Sequence, residues 1–161
     1  MSRRAEQLAA RIEEGAAGLA AFVEHLSETE WRTQVSATDR RTVGQIVNHV
    51  ALVYPIEIEL ARAIAGGNAV TDVTWEAVAG LNENHAREYS TVTKLAALDL
   101  LRRNSKAAAE ATRAFTDAEL DQAAPFALSY GAPVTAQFVL EDHAVRHSWH
   151  HLIRIRTAVG R

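Results

Sequence analysis

The chain has 161 residues, of which 48% are hydrophobic and 23% are charged, with a net charge of −3 and no cysteine. This length and composition predict a single globular domain over residues 1–161 and argue against a disordered chain. The slightly negative charge excludes a general attraction to nucleic acid or to an anionic membrane surface. No apolar run reaches the ~20 residues that a membrane span needs. No apolar segment follows the basic N-terminal residues, so no signal peptide is predicted and the expected compartment is the cytoplasm.

Two long amphipathic helices are predicted in the first half of the chain. The first covers about residues 3–26, where apolar side chains recur at helical spacing. The second covers about residues 42–65, because Thr42 and Gln45 match a capping box at its start and two glycines follow its end. Pro55 lies inside the second helix and lacks a backbone donor, which predicts a kink near residues 48–51.

The second half of the chain predicts two further helices. A third helical region covers about residues 76–115, with a bend near 90–91 or 104–105. The other elements are a cap with a single turn at 116–120, a loop at 126–133 and a last helix at 134–159. Four long helices of this pattern predict an all-α four-helix bundle with one short extra helical turn.

Four of the seven histidines lie between residues 143 and 151, on the last predicted helix. Because each α-helical residue turns about 100°, His143, His147, His150 and His151 fall in one stripe. The i, i+4 spacing of His147 and His151 lets two imidazoles reach the same metal ion. His143 would then contact the metal-binding histidines without binding the metal itself. His150 would hydrogen-bond a helix neighbour. The alternative interpretation is a solvated face of histidines.

His49 is the third candidate ligand, because it lies at the centre of the apolar stripe of the second predicted helix. A buried imidazole without a partner costs roughly 1–3 kcal/mol, and a metal shared with the last helix would supply that partner. The alternative is a core histidine that is hydrogen-bonded to protein groups. His25 and His85 have no comparable context and are predicted to be ordinary surface or boundary residues.

The last predicted helix also has a second apolar face, roughly opposite the histidines. Its members are Phe138, Val145, Trp149, Leu152 and Val159. A helix that is apolar on two sides needs two packing partners. The face therefore predicts either a large core or a homodimer interface.

Three stretches carry a family resemblance: TVGQIVNHV at 42–50, TDAELD at 116–121 and HAVRHSWHHLIRI at 143–155. They resemble the second-helix motif, the acidic connector and the fourth-helix His-x3-His signature of the DinB-like (damage-inducible) superfamily. That superfamily includes thiol-dependent S-transferases and the metal-binding domain of mycothiol-dependent maleylpyruvate isomerase. The resemblance spans nearly the whole chain and implies a four-helix bundle, often dimeric, that binds zinc or nickel.

Carried over to this chain, the resemblance places the metal ligands on His49, His147 and His151. Some members have an acidic residue as the middle ligand. His147 at that position resembles instead the bacillithiol-transferase and stress-protein branches. The cofactor implied is one divalent metal ion, with zinc or nickel expected.

Three neutral imidazoles leave at least one coordination position open, which is the ligand count of a catalytic site. A thiol at that position loses its proton and becomes a nucleophile near neutral pH. Since the chain has no cysteine, the thiol must be a cosubstrate. The leading hypothesis is therefore the metal-dependent transfer of a low-molecular-weight thiol to an electrophilic small molecule.

Two other functions are compatible with the same residues. One is metal-dependent hydrolysis, with Glu57, Glu59 and Asp142 as candidate general bases. The other is a non-enzymatic metal-binding protein of the stress response, since a fold does not determine a function. No catalytic residue is assigned by the sequence.

Five residues outside the histidine stripe are candidates for a substrate pocket. Arg154 follows the stripe by one turn and is expected either to attract an anionic substrate group or to form a salt bridge at the end of the helix. The candidates for the pocket lining are Trp75, Asn84, Tyr89 and Tyr130.

Overall fold

The computed structural model describes residues 2–161, most of which are helical. The helices are α1 (Arg3–Glu24), α2 (Glu28–Trp31), α3 (Val43–Ala65), α4 (Trp75–Glu88), α5 (Lys94–Arg113), α6 (Asp117–Asp121), α7 (Ala136–Val139) and α8 (Arg146–Val159). A π-helical segment, Leu140–Val145, joins α7 to α8. The predicted four-helix bundle is confirmed, with α1, α3, α5 and the α7–α8 unit as its four members. Within residues 2–161, every helix is too short or too polar to cross a lipid bilayer.

The core lies where α5 packs against α1 and α3, and α8 closes the bundle on α1 and α3. Its largest fully buried side chains include Leu8, Ile12, Leu19, Ile46, Ile64 and Leu101. Tyr54 of α3 is also fully buried, and its hydroxyl lies 2.6 Å from Ser148 Oγ of α8. This hydrogen bond ties α8 to α3 next to the histidines of both helices.

Helix α3 begins as predicted, since Thr42 accepts a hydrogen bond from the Gln45 backbone N–H while the Gln45 side chain accepts from the Thr42 N–H. The helix continues through Pro55 to Ala65. Because Pro55 has no N–H, the carbonyl of Ala51 loses its normal partner within the helix. Asn104 of α5 supplies a replacement donor, with its Nδ2 2.8 Å from that carbonyl. The predicted kink itself stays a prediction.

The predicted helix over 76–115 is wrong as a single element, because it is divided into α4 and α5. The break falls at one of the two predicted bends, and Thr93 starts α5 by accepting a hydrogen bond from the Ala96 N–H. Helix α4 has no fully buried residue and packs on α3, outside the four-helix bundle. Helix α4 therefore lies against α3 as an additional helix.

The predicted boundaries of the loop at 126–133 and of the last helix also need correction. Residues on either side of the loop form a small antiparallel sheet of β1 (Ala123–Pro125) and β2 (Pro133–Thr135), with a 3-10 turn, Ala127–Ser129, between them. Thr135 then caps α7, so the last helix starts at Ala136 instead of Val134. Val134 lies in strand β2 and not in the helix, because β-branched residues suit extended backbone.

Near the first helix, the structure differs from the prediction in two details. Helix α1 ends at Glu24, and the short α2 follows it. Trp31 at the end of α2 is buried, and its Nε1 donates a hydrogen bond to the Val92 carbonyl at 3.0 Å. The indole thereby joins α2 to the segment between α4 and α5.

Gly44 in the first turn of α3 lies directly against this indole. A Cβ at Gly44 would lie 2.5 Å from Trp31 Cε2 and 2.7 Å from Nε1, so Gly44→Ala forces a buried ring to move. We expect the free energy of unfolding, measured by urea denaturation, to fall by about 1–3 kcal/mol.

Gly80 of α4 offers a matched control, since a Cβ there meets no heavy atom within 4 Å. Gly80→Ala should be neutral or stabilising by up to about 1 kcal/mol, because alanine has the higher helix propensity. Equal stability changes in the two variants would contradict the predicted clash at Gly44.

Candidate metal centre

His49 of α3 and His147 and His151 of α8 meet between the two helices. Their candidate ligand atoms all lie within 4.8 Å of one another. The Nε2 atoms of His49 and His147 are 3.2 Å apart. Two nitrogens bound to one tetrahedral zinc ion at about 2.0–2.1 Å would be roughly 3.3 Å apart, so this spacing fits a shared ion. The structure thus brings the three predicted ligands together, and their ligation of a metal stays a prediction.

The π-helical segment Leu140–Val145 lies immediately before the two histidines of α8. Such segments are rare in proteins, and those that occur are often found at functional sites. His147 and His151 both follow the segment, so they keep the α-helical i, i+4 spacing. His143 lies inside it, and its ring packs edge-on against Phe126, with 5.6 Å between the ring centroids.

Burial keeps two of the three histidines neutral. Desolvation, with a smaller contribution from His147, lowers the pKa of His49 to about 2. The same two causes, in the same order, hold the pKa of His151 far below its usual range. A neutral imidazole is the form that binds metal, so neither ring has to release a proton at neutral pH.

Glu57 orients the third histidine. The Nδ1–H of His147 donates to Glu57 Oε1 at 2.6 Å, and Glu57 is only 4% exposed. This bond places the proton on Nδ1 and leaves the Nε2 lone pair free towards His49. A carboxylate in this position raises the basicity of a metal-binding histidine and holds its ring in place.

Replacing Glu57 by glutamine should therefore weaken metal binding. We expect the Kd for zinc, measured by competition with a chelating dye, to rise by about 10-fold, because the negative charge beside His147 is lost. Glu59→Gln is the matched control, since Glu59 lies two residues away, is exposed and pairs with Arg62. An unchanged Kd in Glu57→Gln would show that this carboxylate does not support the site.

His85 lies much closer to the site than the sequence indicated. It is partly exposed, as expected for a boundary residue, but its ring centroid is 5.7 Å from that of His49. Its Nε2 lies 3.1 Å from Asn48 Nδ2, and its ring stacks on Tyr89 at 4.7 Å. His25, by contrast, is exposed as predicted. No sequence signal identified His85, because only the packing of α4 on α3 brings it near His49.

A pocket of about 560 Å³ adjoins the three histidines. Trp75, Asn84 and Tyr89 line it, as predicted. Tyr130 was predicted to line it as well, and that prediction is wrong, because its side chain lies in the turn between the two strands and is 91% exposed. Most of the exposed surface of the pocket is apolar, and its apolar side chains come mainly from α3 and α4.

Arg154 forms the salt bridge that was one of its two predicted roles. Its Nη2 lies 2.8 Å from Asp39 Oδ2, in the loop before α3, and its Nη1 lies 3.4 Å from His151 Nδ1. Asp39 also binds Arg41, with 2.7 Å between Arg41 Nη2 and Asp39 Oδ2. The sequence did not single out Asp39 or Arg41, because both lie in a loop without a motif.

The fold and the histidine cluster define a class of protein: a four-helix bundle with a candidate three-histidine metal centre between two of its helices. The model of the DinB superfamily matches residues 11–155, so the chain belongs to that superfamily.

Among solved structures, the chain is similar to YfiT from Bacillus subtilis, described as a probable metal-dependent hydrolase with an unusual four-helix bundle topology. The TM-score is 0.77 at 21% sequence identity, over 100% of this chain and 89% of that one. No curated protein matches the chain.

Proposed function

We propose that the protein is a metal-dependent transferase that adds a low-molecular-weight thiol to a small electrophilic molecule. The observation that carries this proposal is a three-imidazole donor set whose members line a largely apolar pocket. Three protein ligands are the number found at catalytic sites, where one position stays available. The chain contains no cysteine, so the sulfur has to come from a cosubstrate.

A divalent ion held by these imidazoles would supply a Lewis acid that lowers the pKa of a thiol. The sulfur forms a bond to the electrophilic carbon, the leaving group departs with its electron pair, and the thiol proton goes to solvent. The protein holds His49 and His151 neutral through burial and orients His147 through Glu57. The apolar pocket wall would keep water away from the reacting groups.

Metal-dependent hydrolysis is the second candidate, favoured by the likeness to YfiT, which is described as a probable metal-dependent hydrolase. Such a reaction commonly uses a general base to activate water. Of the three predicted bases, Glu57 is bonded to His147, Glu59 does not line the pocket, and Asp142 pairs with Arg146 at 3.1 Å. Glu57 has one unpaired oxygen but is engaged in orienting His147. Thiol transfer, which needs no such base, is therefore better supported.

The test is a turnover assay on zinc-loaded and nickel-loaded protein. Each is incubated with 1-chloro-2,4-dinitrobenzene and with glutathione, mycothiol or bacillithiol, and thioether formation is followed by absorbance. We expect one thiol to react at a rate that disappears after metal removal and in the His49→Ala variant. Cleavage of 4-nitrophenyl acetate without thiol, and no thioether, would support hydrolysis instead. No metal-dependent turnover with either substrate would leave the non-enzymatic stress-response role.

A further inference from the structure

Three buried side-chain polar atoms within residues 2–161 have no hydrogen-bond partner: Arg41 Nη1, Glu57 Oε2 and His85 Nδ1. All three belong to side chains that line the pocket beside the histidine cluster. Buried polar groups in folded proteins are nearly always hydrogen-bonded. Their concentration in one pocket therefore indicates that a polar ligand binds there.

Two of these three atoms are donors, whereas Glu57 Oε2 is an acceptor that the ligand proposed below leaves unpaired. A guanidinium has no acceptor, so Arg41 Nη1 can only donate. The Asn48 amide Nδ2 donates to His85 Nε2 at 3.1 Å, which places the ring proton of a neutral His85 on Nδ1. The ligand must therefore present an acceptor to Arg41 and His85.

The charge around Arg41 indicates that this acceptor is an anion. Asp39 is shared by two guanidinium groups: Arg41 Nε and Nη2 lie 2.9 and 2.7 Å from its oxygens, and Arg154 Nη2 lies 2.8 Å away. Within the cluster of Asp39, Arg41 and Arg154, one carboxylate and two guanidinium groups leave one positive charge in excess. Because Nε and Nη2 of Arg41 already bind Asp39, Nη1 is a single open donor. A carboxylate presents two acceptor oxygens, enough for both Arg41 Nη1 and His85 Nδ1.

The rest of the pocket indicates the body of the ligand. Most of the exposed surface of the pocket is apolar. Seven of its apolar side chains come from α3, from α4 and from the segment before α4: Leu52, Val53, Ile56, Leu60, Val73, Val78 and Leu81. A volume of about 560 Å³ leaves room for an apolar chain or ring as well as a polar head.

We propose that Arg41, His85 and Arg154 form a carboxylate-binding subsite, and that the substrate is an amphipathic carboxylate whose apolar part lies along α3 and α4. This inference rests on the proposed function only because it takes the ligand of the pocket to be the electrophile. The subsite holds the carboxylate beside the metal centre and directs the apolar part into the pocket.

The test measures the binding of octanoate and octan-1-ol to metal-free wild-type protein by isothermal titration calorimetry. The two probes share their alkyl chain, and removal of the metal prevents the carboxylate from binding to the ion. Because a hydrogen bond to a charged group is among the stronger ones, octanoate should bind about 10- to 100-fold more tightly than octan-1-ol. Arg41→Gln should abolish this difference and leave octan-1-ol binding unchanged.

Three further variants separate the subsite from general effects. Arg154→Gln and His85→Phe should each reduce octanoate affinity without changing the circular dichroism spectrum, so that the proposal does not depend on the folding of one variant. Arg146→Gln is the matched control, because Arg146 also lines the pocket but is paired with Asp142 and is more exposed. It should bind octanoate as the wild type does.

Equal affinity for octanoate and octan-1-ol, or octanoate binding that requires the metal, would overturn the subsite. An unchanged preference in both Arg41→Gln and Arg154→Gln would overturn it as well. The proposed function is tested separately. A protein that binds octanoate through Arg41 but shows no metal-dependent turnover would support the subsite and exclude the transferase activity.

Discussion

The His49→Ala variant is expected to lose its bound metal ion. Removal of one of three imidazoles leaves only the two ligands of α8, and the cluster of candidate ligand atoms contains no fourth histidine. Loss of a supporting residue alone costs 10- to 100-fold in metal affinity, so loss of a ligand should cost more than about 100-fold. Elemental mass spectrometry on untagged protein should find about one zinc or nickel per wild-type chain and almost none in the variant.

Two controls accompany this measurement. His25→Ala removes an exposed histidine at the end of α1, and His85→Ala removes a ring next to His49; both variants should keep the metal. Metal in His49→Ala at the wild-type level would exclude His49 as a ligand. A wild-type protein that stays empty after incubation with zinc and nickel would remove the metal centre altogether.

Acidification should destabilise the metal-free protein strongly. In the unfolded chain histidine has a pKa near 6.5, whereas burial lowers the pKa of His49 to about 2 in the folded chain and lowers that of His151 as well. Below pH 6.5 the unfolded chain binds protons that the folded chain does not, so the free energy of unfolding falls as the pH falls. For these two histidines the loss between pH 7 and pH 5 is about 4 kcal/mol.

Burial also lowers the pKa of His85, His143 and His150, so these residues act in the same direction. The measurement is urea denaturation at pH 7, 6 and 5 with a chelator present. A double variant, His49→Leu with His151→Leu, should show a clearly shallower dependence, because two of the titrating groups are gone. Equal stability of the wild type at pH 7 and pH 5, or an unaltered slope in the double variant, would refute the burial of neutral imidazoles.

Much of the bundle followed from local patterns. Helix α3 was predicted from its apolar spacing and from the Thr42–Gln45 capping box, and both are present. The pairing of His147 with His151 was also local, because four residues within one helix determine their separation. Two boundaries were wrong: the break between α4 and α5, where Thr93 caps α5, and the start of the last helix, where Pro133–Thr135 pairs with Ala123–Pro125.

His49 was predicted partly from the pattern of its own helix and partly from the family resemblance. Its place in an apolar stripe predicted that it points into the bundle, and the cost of burying a polar ring predicted a partner. The family resemblance then named that partner as a metal shared with the last helix. The structure brings His49 within 3.2 Å of His147, over a sequence separation of 98 residues.

The sequence by itself determined α1 and α3 with their inward faces and the i, i+4 histidine pair, because those features depend on neighbours within one helical turn or on the periodicity of one helix. Only the tertiary structure decided the surroundings of the histidines. Glu57 and His147 are 90 residues apart, Asp39 and Arg154 are 115 apart, and His85 reaches Asn48 from 37 residues away. These contacts depend on which helices pack together and in which register, and no local pattern of residues encodes that choice.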